Sequence, residues 1–271
     1  MNKMILTGLT IVCLLAMGAI FAPFLSKYDY KEQNMLERLQ PPSAKHLMGT
    51  DEYGRDVFTR MLYGARISMS VGLIAVLISA FIGIILGAIS GYFGGVVDNI
   101  IMRFVDIVLT IPTLFLILML VVFLGPSIFN IIFIIGLTSW TDIARIMRAE
   151  VMKLKKAEFV DAARLIGLRN RNIIIKHILP NALSPVFVYM TFGISGAILI
   201  ESGLSFLGLG VQPPEPSWGN ILTAGKDYIH SAWWMIVYPG FAIFLSVFGF
   251  NMLGEGLRDY LNPKIRKENL K

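Results

Sequence analysis

Cysteine occurs once, at Cys13, so the chain can build neither a disulfide framework nor a thiolate metal site, and its redox compartment stays open. Charge is scarce too. Asp, Glu, Lys and Arg make up 15% of the 271 residues against 55% hydrophobic, and the mean hydropathy of +0.68 lies outside the range of water-soluble domains. The chain therefore belongs in a bilayer. His46, His177 and His230 fall in separate segments with no metal-ligand spacing. No HExxH, GxSxG or paired-carboxylate constellation occurs, so no catalytic residue and no metal site is assigned. A phosphate loop is missing as well. The nearest approach, Gly219 to Asp227, holds five residues between its glycines and ends in Asp rather than Ser or Thr. The formal charge of +6 does not point to nucleic acid, because the cations flank apolar runs instead of covering a polar surface with stacking aromatics.

What is present in quantity is apolar sequence of spanning length. Runs at about 4–25, 68–90, 100–124, 128–146, 185–207 and 235–253 are each long enough to cross roughly 30 Å of hydrocarbon as a helix. They predict a single all-α polytopic membrane domain of about six transmembrane helices over residues 1–271, with a long outer loop at 26–67. Small residues at Ala19 and Ala22 resemble a signal-peptide cleavage site, but the first apolar core is too long for one, and it is read as an uncleaved helix. Pro112 removes a backbone hydrogen bond within the third span and predicts a kink, and Gly125-Pro126 predicts a tight turn into the fourth.

Placing the N-terminus inside puts sixteen of the 24 Lys and Arg on the cytoplasmic side, nine of them between Arg145 and Lys176. The positive-inside bias then favours cytoplasmic N- and C-termini, although Arg55, Arg60 and Arg66 beside the second span oppose it. Trp233-Trp234 is read as an interfacial anchor on the outer side.

Glycine recurs at Gly83, Gly87, Gly91 and Gly95, which predicts one bare helical face for close packing, either within the chain or against another subunit. Two carboxylates stand at membrane depth. Asp106 is expected either to pair with Arg103 three residues away or to snorkel to the inner interface, whereas Glu201 has no partner nearby in sequence. Glu201 could line a translocation path, be protonated, or bond to a neighbouring helix. Asp142 and Arg145 are read as ordinary interfacial ends of the fourth span.

The basic segment 153–182 is amphipathic but too polar to span. Phe159, Ala162, Ala163 and Ile166 share helical spacing, Gly167 suits a C-terminal cap, Asn170 can start a second helix, and Pro180 is expected to end it. The expected product is a stiff cytoplasmic two-helix bracket able to transmit a push from a soluble partner. A basic amphipathic segment lying on anionic lipid is the plainer alternative.

The segment resembles the EAA loop of importer-type ABC permeases: Asp161-Ala162-Ala163, then Gly167, then Leu179-Pro180 at the family's offsets. Asp161 stands where that family has Glu, and His177 where it has Ile. The stretches HLMGTDEYGRDVFTRMLYGARIS and SFLGLGVQPPEPSWGNIL resemble the dipeptide, oligopeptide and nickel branch of the same family. The resemblance implies a channel subunit moving di- or oligopeptides, or alternatively a nickel chelate, by alternating access. Implied partners are a homologous second permease, two ATP-binding cassette subunits that carry ATP and Mg, and an external substrate-binding protein. Glu158, Asp161, Ala162, Ala163, Gly167, Leu179 and Pro180 would form the coupling loop, and no cofactor is expected on this chain. An ion-coupled secondary transporter is the rival from another class.

Overall fold

The computed structural model describes residues 3–261, so Met1, Asn2 and the C-terminal cations Lys264, Arg266, Lys267 and Lys271 lie outside the described residues. The described chain is helical, in the order α1 (Lys3–Ile20), α2 (Ala22–Leu25), α3 (Val57–Phe93), α4 (Gly95–Leu109), α5 (Thr113–Leu124), α6 (Ile128–Thr138), α7 (Trp140–Leu154), α8 (Glu158–Leu165), α9 (Asn170–Asn172), α10 (Leu179–Phe206), α11 (Trp218–Gly225) and α12 (Trp234–Leu261). Five segments are long and apolar enough to cross a membrane: Lys3–Ile20, Val57–Phe93, Ile128–Leu154, Asn170–Phe206 and Trp234–Leu261. Counting α4 and α5 as one broken span gives six.

The third span is more than kinked. α4 and α5 meet at 80°, because Pro112 pushes Ile111 out of helical geometry and starts a new helix as the residue just before α5. The first span also stops early, at Ile20, with α2 a separate turn begun by Pro23. Ala19 and Ala22, the small residues there, are buried in packing.

α3 runs 37 residues, about 55 Å, far beyond the 68–90 read from hydropathy. Asp56 explains its early start: the Asp56 carboxylate accepts from the Thr59 backbone N–H at 2.8 Å and caps the helix. α3 thereby links two ends of the bundle. Its first turns meet the loop 26–56 and α11, and its last turns meet α7 and, through Tyr92, Asn170 of α9.

The glycine stripe packs within the chain. A Cβ on Gly83 would lie 2.7 Å from the Ile143 Cβ, on Gly87 2.4 Å from the Ala144 carbonyl oxygen, and on Gly91 2.7 Å from the Arg148 carbonyl oxygen, all on α7. Gly95 does not join them, contrary to the sequence spacing. α3 ends at Phe93, Gly94 (φ +68) and Gly95 (φ +54) turn the chain left-handed into α4, and nothing lies within 4 Å of a Gly95 Cβ. α1 likewise nests on α12, where a Gly8 Cβ would meet the Leu253 nitrogen at 2.6 Å.

The two kinds of glycine give opposite tests. Gly87→Ala forces α3 off α7 and should cost about 1–3 kcal/mol by overpacking, read as a lower melting midpoint of the purified protein. Gly94→Ala, in open space, meets only the backbone penalty of about 1–3 kcal/mol for a φ/ψ region that is nearly glycine's alone (φ +68, ψ −163), and should leave the spectroscopic signature of the α3–α7 contact unchanged.

Candidate functional site

At the bracket end, α7 turns through Lys155–Ala157 into α8. No side chain caps the start of α8, but Glu158 and Asp161 lie in its first turn, where the positive end of the helix dipole favours carboxylates. Asp161 also accepts from Arg164 at 3.0 Å. The far end closes on Gly167 at φ +77. Gly167 N–H donates to the Arg164 carbonyl at 2.9 Å and Leu168 N–H to the Ala163 carbonyl at 3.1 Å, the paired bonds of a Schellman cap.

α8 presents two faces, in a register one residue away from the sequence grouping of Phe159, Ala162, Ala163 and Ile166. Val160 and Ala163 are buried, in one apolar cluster with Met147 and Val151 of α7 and with Ile173 and Ile178 of the turn before α10. Phe159, Ala162, Leu165 and Ile166 face out, with Leu165 88% and Ile166 76% exposed.

Pro180 does not end a second helix. From Asn170 the chain stays helical to Phe206, through α9, a π-helical turn at Ile173–Ile178, and α10. The wider π turn accommodates the proline ring, which would otherwise clash with the carbonyl four residues back. Leu179 is half-buried against the α7–α8 cluster and Pro180 is exposed. The bracket is thus one short helix and the root of a long one.

Side chains that sequence did not single out tie the bracket to the spans. Tyr92 at the end of α3 donates to the Asn170 side-chain oxygen at 2.7 Å, with the Lys155 ammonium 5.5 Å over its ring. Arg148 on α7 grips Asp98 on α4 with two bonds of 2.5 and 2.6 Å, and Ser90 on α3 donates to the same carboxylate at 2.5 Å. Three helices meet at that one carboxylate. Arg and Asp fifty residues apart leave no local signal.

A cavity of about 250 Å³ lies between α3, α6, α7 and α10. Both helix breaks open on it: Leu109 and Thr113 flank the α4–α5 bend, and Ser139 is the lone residue between α6 and α7. Asp142, expected as a span end, sits on its wall in the first turn of α7 and accepts from the Tyr189 hydroxyl of α10 at 2.6 Å. Asp106 pairs with Arg145 at 2.6 Å rather than with Arg103, because a partner on the adjacent α7 faces it directly.

At the opposite end, the two stretches that carried the branch resemblance converge. Trp218 donates its ring N–H to the Met61 carbonyl at 3.2 Å and its backbone N–H to the Ser68 hydroxyl oxygen at 3.2 Å. Arg60, buried, donates to the carbonyls of Tyr30 and Pro214 and faces Asp51 at 3.5 Å. Asp51 also takes Arg55 at 2.6 Å, while Arg66 donates to the Ala19 and Ile20 carbonyls at the end of α1. These three arginines, the cations that opposed the charge-based orientation, are thus matched locally. The stretch once compared with a phosphate loop is α11, begun by a Ser217–Asn220 capping box, with Gly219 and Gly225 in close helix contacts. Trp234 is buried and donates to the Thr50 carbonyl at 3.1 Å, so only Trp233 of the expected pair is exposed at the surface.

Glu201 lies at this junction, fully enclosed and away from the cavity. Its carboxyl accepts from Ser68 on α3 at 3.1 Å and from Ser205 at 2.8 Å. Of the three readings left open by sequence, bonding to a neighbouring helix is what this conformation displays.

In the loop, His46 is buried with Nδ1 2.9 Å from Asp56 and Nε2 3.1 Å from Glu37. A neutral imidazole can donate to one of them, an imidazolium to both. The Lys45 ammonium, then the His46 ring, hold the Glu37 carboxyl below its ordinary value of 4.5. Glu52 is displaced the other way, by burial first and by Asp51 second, and its Oε2 is buried without a partner.

The family described as binding-protein-dependent transport system inner membrane component matches residues 83–267. The N-terminal TM domain of oligopeptide transport permease C matches residues 1–42. The chain is 45% identical over 265 residues to the dipeptide transport system permease protein DppC of Alkalihalophilus pseudofirmus, covering 98% of this chain and 87% of that one. It is 42% identical over 267 residues to the oligopeptide transport system permease protein OppC of Escherichia coli, covering 98% and 88%. Among solved structures, a chain of the MetNI methionine ABC transporter in inward-facing conformations matches with a TM-score of 0.55 at 17% identity, over 73% of this chain and 96% of that chain. At that identity the likeness is one of fold.

The two displaced carboxyls in the loop predict opposite pH effects. A lowered pKa supplies stability above the unfolded value that is lost on acidification, so Glu37→Gln should lower the melting midpoint at about pH 8 and have little effect at about pH 3. A raised pKa marks a charge the fold disfavours, so Glu52→Gln should raise the midpoint at about pH 8 and lose that advantage in acid, once the native group is protonated. Melting curves of the two variants across pH check both signs.

Proposed function

The chain belongs to the family of binding-protein-dependent transport system inner membrane components, and from that premise we propose that it forms half of the membrane path of an ATP-driven importer of di- or oligopeptides. Its several spans place it in the membrane as a multi-pass subunit. The relatives described above are dipeptide and oligopeptide permeases, which favours peptide cargo over a nickel chelate. Family membership likewise favours ATP-driven import over an ion-coupled secondary carrier.

In this reading a homologous permease completes the path, two ATP-binding cassette subunits bind ATP and Mg and hydrolyse the nucleotide, and an external protein delivers peptide. No cofactor is assigned to this chain. The termini are cytoplasmic, because α8 and most of the Lys and Arg then share the side of the motor. ATP binding draws the cassette subunits together, α8 follows, and the spans switch the cavity between the two sides.

One observation supports this most directly. α8 is seated by Val160 and Ala163, buried in one cluster with α7 and the π turn, and is closed by its glycine cap, yet among the described residues Leu165 and Ile166 stay uncovered. A helix lying on lipid by its basic face would not need that rigid seating. A helix seated in a partner's cleft would.

The coupling reading separates from simple destabilisation. Leu165→Asp alters a fully projecting side chain and should change stability by no more than about 0.5 kcal/mol. In the assembled complex it should nonetheless remove most peptide uptake and the stimulation of ATP hydrolysis by loaded binding protein. Gly167→Leu, which strains the left-handed cap, should do the same with an added loss of stability. Wild-type stimulation and uptake in both variants would overturn the assignment.

A further inference from the structure

Asp142 is the only charged residue on the cavity wall among the described residues. It is solvent-exposed, and its one hydrogen-bond donor is the Tyr189 hydroxyl at 2.6 Å. No described cation pairs with it. Arg145, one turn along α7, is turned to Asp106 at 2.6 Å and so is not the partner of Asp142. Asp142 lies in the first turn of α7, where the positive end of the helix dipole stabilises a carboxylate. Toward the cavity, α4 ends at Leu109 on the wall, and a helix C-terminus presents carbonyl oxygens that favour a cation.

We propose that Asp142, steadied by Tyr189, is a transient subsite for the ammonium group of the peptide on its way through the path. The proposal rests on the peptide-importer reading above. An ammonium has three donors and no acceptor, which matches a carboxylate with one oxygen already engaged and the carbonyl end of α4 beside it. A cavity of about 250 Å³ falls below the roughly 300–1,000 Å³ of complete small-molecule sites. It therefore serves one end of the cargo, and the homologous permease would enclose the rest. Asp142 is a specificity determinant in this account, and coupling to ATP runs separately through α8.

The test uses the full complex in proteoliposomes, with dialanine uptake expressed per ATP hydrolysed so that differences in assembly cancel. Asp142→Asn keeps an oxygen to accept the Tyr189 hydroxyl and removes only the charge. Uptake per ATP should fall about tenfold, the scale of one hydrogen bond to a charged group, and Asp142→Ser should fall as far. Asp142→Glu should recover at least half. A purely structural Asp142 would leave Asp142→Asn at the wild-type ratio while Asp142→Ser, which cannot reach Tyr189, fell; that pattern, or wild-type ratios in both, overturns the subsite. If the wild-type complex carries no peptide at all, the peptide reading has failed and the subsite is overturned with it. If wild type carries dialanine and Asp142→Asn does so equally well per ATP, only the subsite is lost.

Discussion

Helices in a bilayer gain nothing by hiding leucine from one another, since lipid tails are equally apolar, so the bundle depends on how closely two backbones can approach. Here that approach is made along the seam of α3 on α7, where Gly83, Gly87 and Gly91 leave no room for a methyl group. α7 leads through the Lys155–Ala157 turn to α8, and α3 continues to the loop end, so the seam connects the bracket side of the bundle to the opposite face. The Arg148–Asp98–Ser90 junction adds α4 to it with charge-assisted bonds that are short and directional. Removing either charged partner would strand the other in a half-buried site, which is why such a pair fixes geometry even where its net contribution to stability is small.

The loop end follows a different rule. There the chain buries charge outright: Asp51, Arg55, Asp56, Arg60 and His46 are all nearly inaccessible. Each is matched, Arg55 and Arg60 by Asp51, His46 by Asp56 and Glu37, and Asp56 also by the first turn of α3. Glu201 extends the same network inward through Ser68, whose hydroxyl donates to the carboxyl and accepts from the Trp218 backbone. The loop, α3, α10 and α11 are thereby held by polar contacts whose partners must all be present, since an unmatched buried polar group costs more than the bond it would have made. Packing by contact at one end and by matched charge at the other gives α3 two anchors of different chemistry.

Hydropathy made the membrane class and the approximate number of spans legible, because length and apolar content are local properties. The short helix at Glu158–Leu165 and its glycine end were legible as well, through the spacing of Ala162, Ala163 and Gly167 and through the φ that a glycine at such a position can adopt. What sequence did not yield were features decided by a second element. Asp106 looked to Arg103 along its own helix, but Arg145 across the α4–α7 contact is nearer. Trp234 looked like a membrane anchor until Thr50, far earlier in the chain, supplied a carbonyl for its ring N–H. Gly95 continued a four-residue spacing that α3 does not continue, since Gly94 had already broken the helix. Pro180 carried the usual mark of a helix end, and the preceding π turn removed the clash that gives the mark its meaning. Asp98, Arg148 and Tyr189 had no local pattern to betray them.

Stiffness is distributed unevenly around the cavity. α3 crosses the whole molecule without a proline or a break, and its partner α7 is equally uninterrupted from Trp140 to Leu154. Every other element that reaches the cavity carries a joint: the 80° bend between α4 and α5, the single residue Ser139 between α6 and α7, and in α10 a π turn at the root and Pro185 within. A proline or a π turn leaves carbonyls without their usual partner and lowers the cost of bending at that point. Under the proposed mechanism a displacement entering at α8 passes to the stiff α3–α7 pair, while the walls facing it have places to give. Had the joints been in that pair and the rigid helix in the wall, the same push would be absorbed before it reached the path.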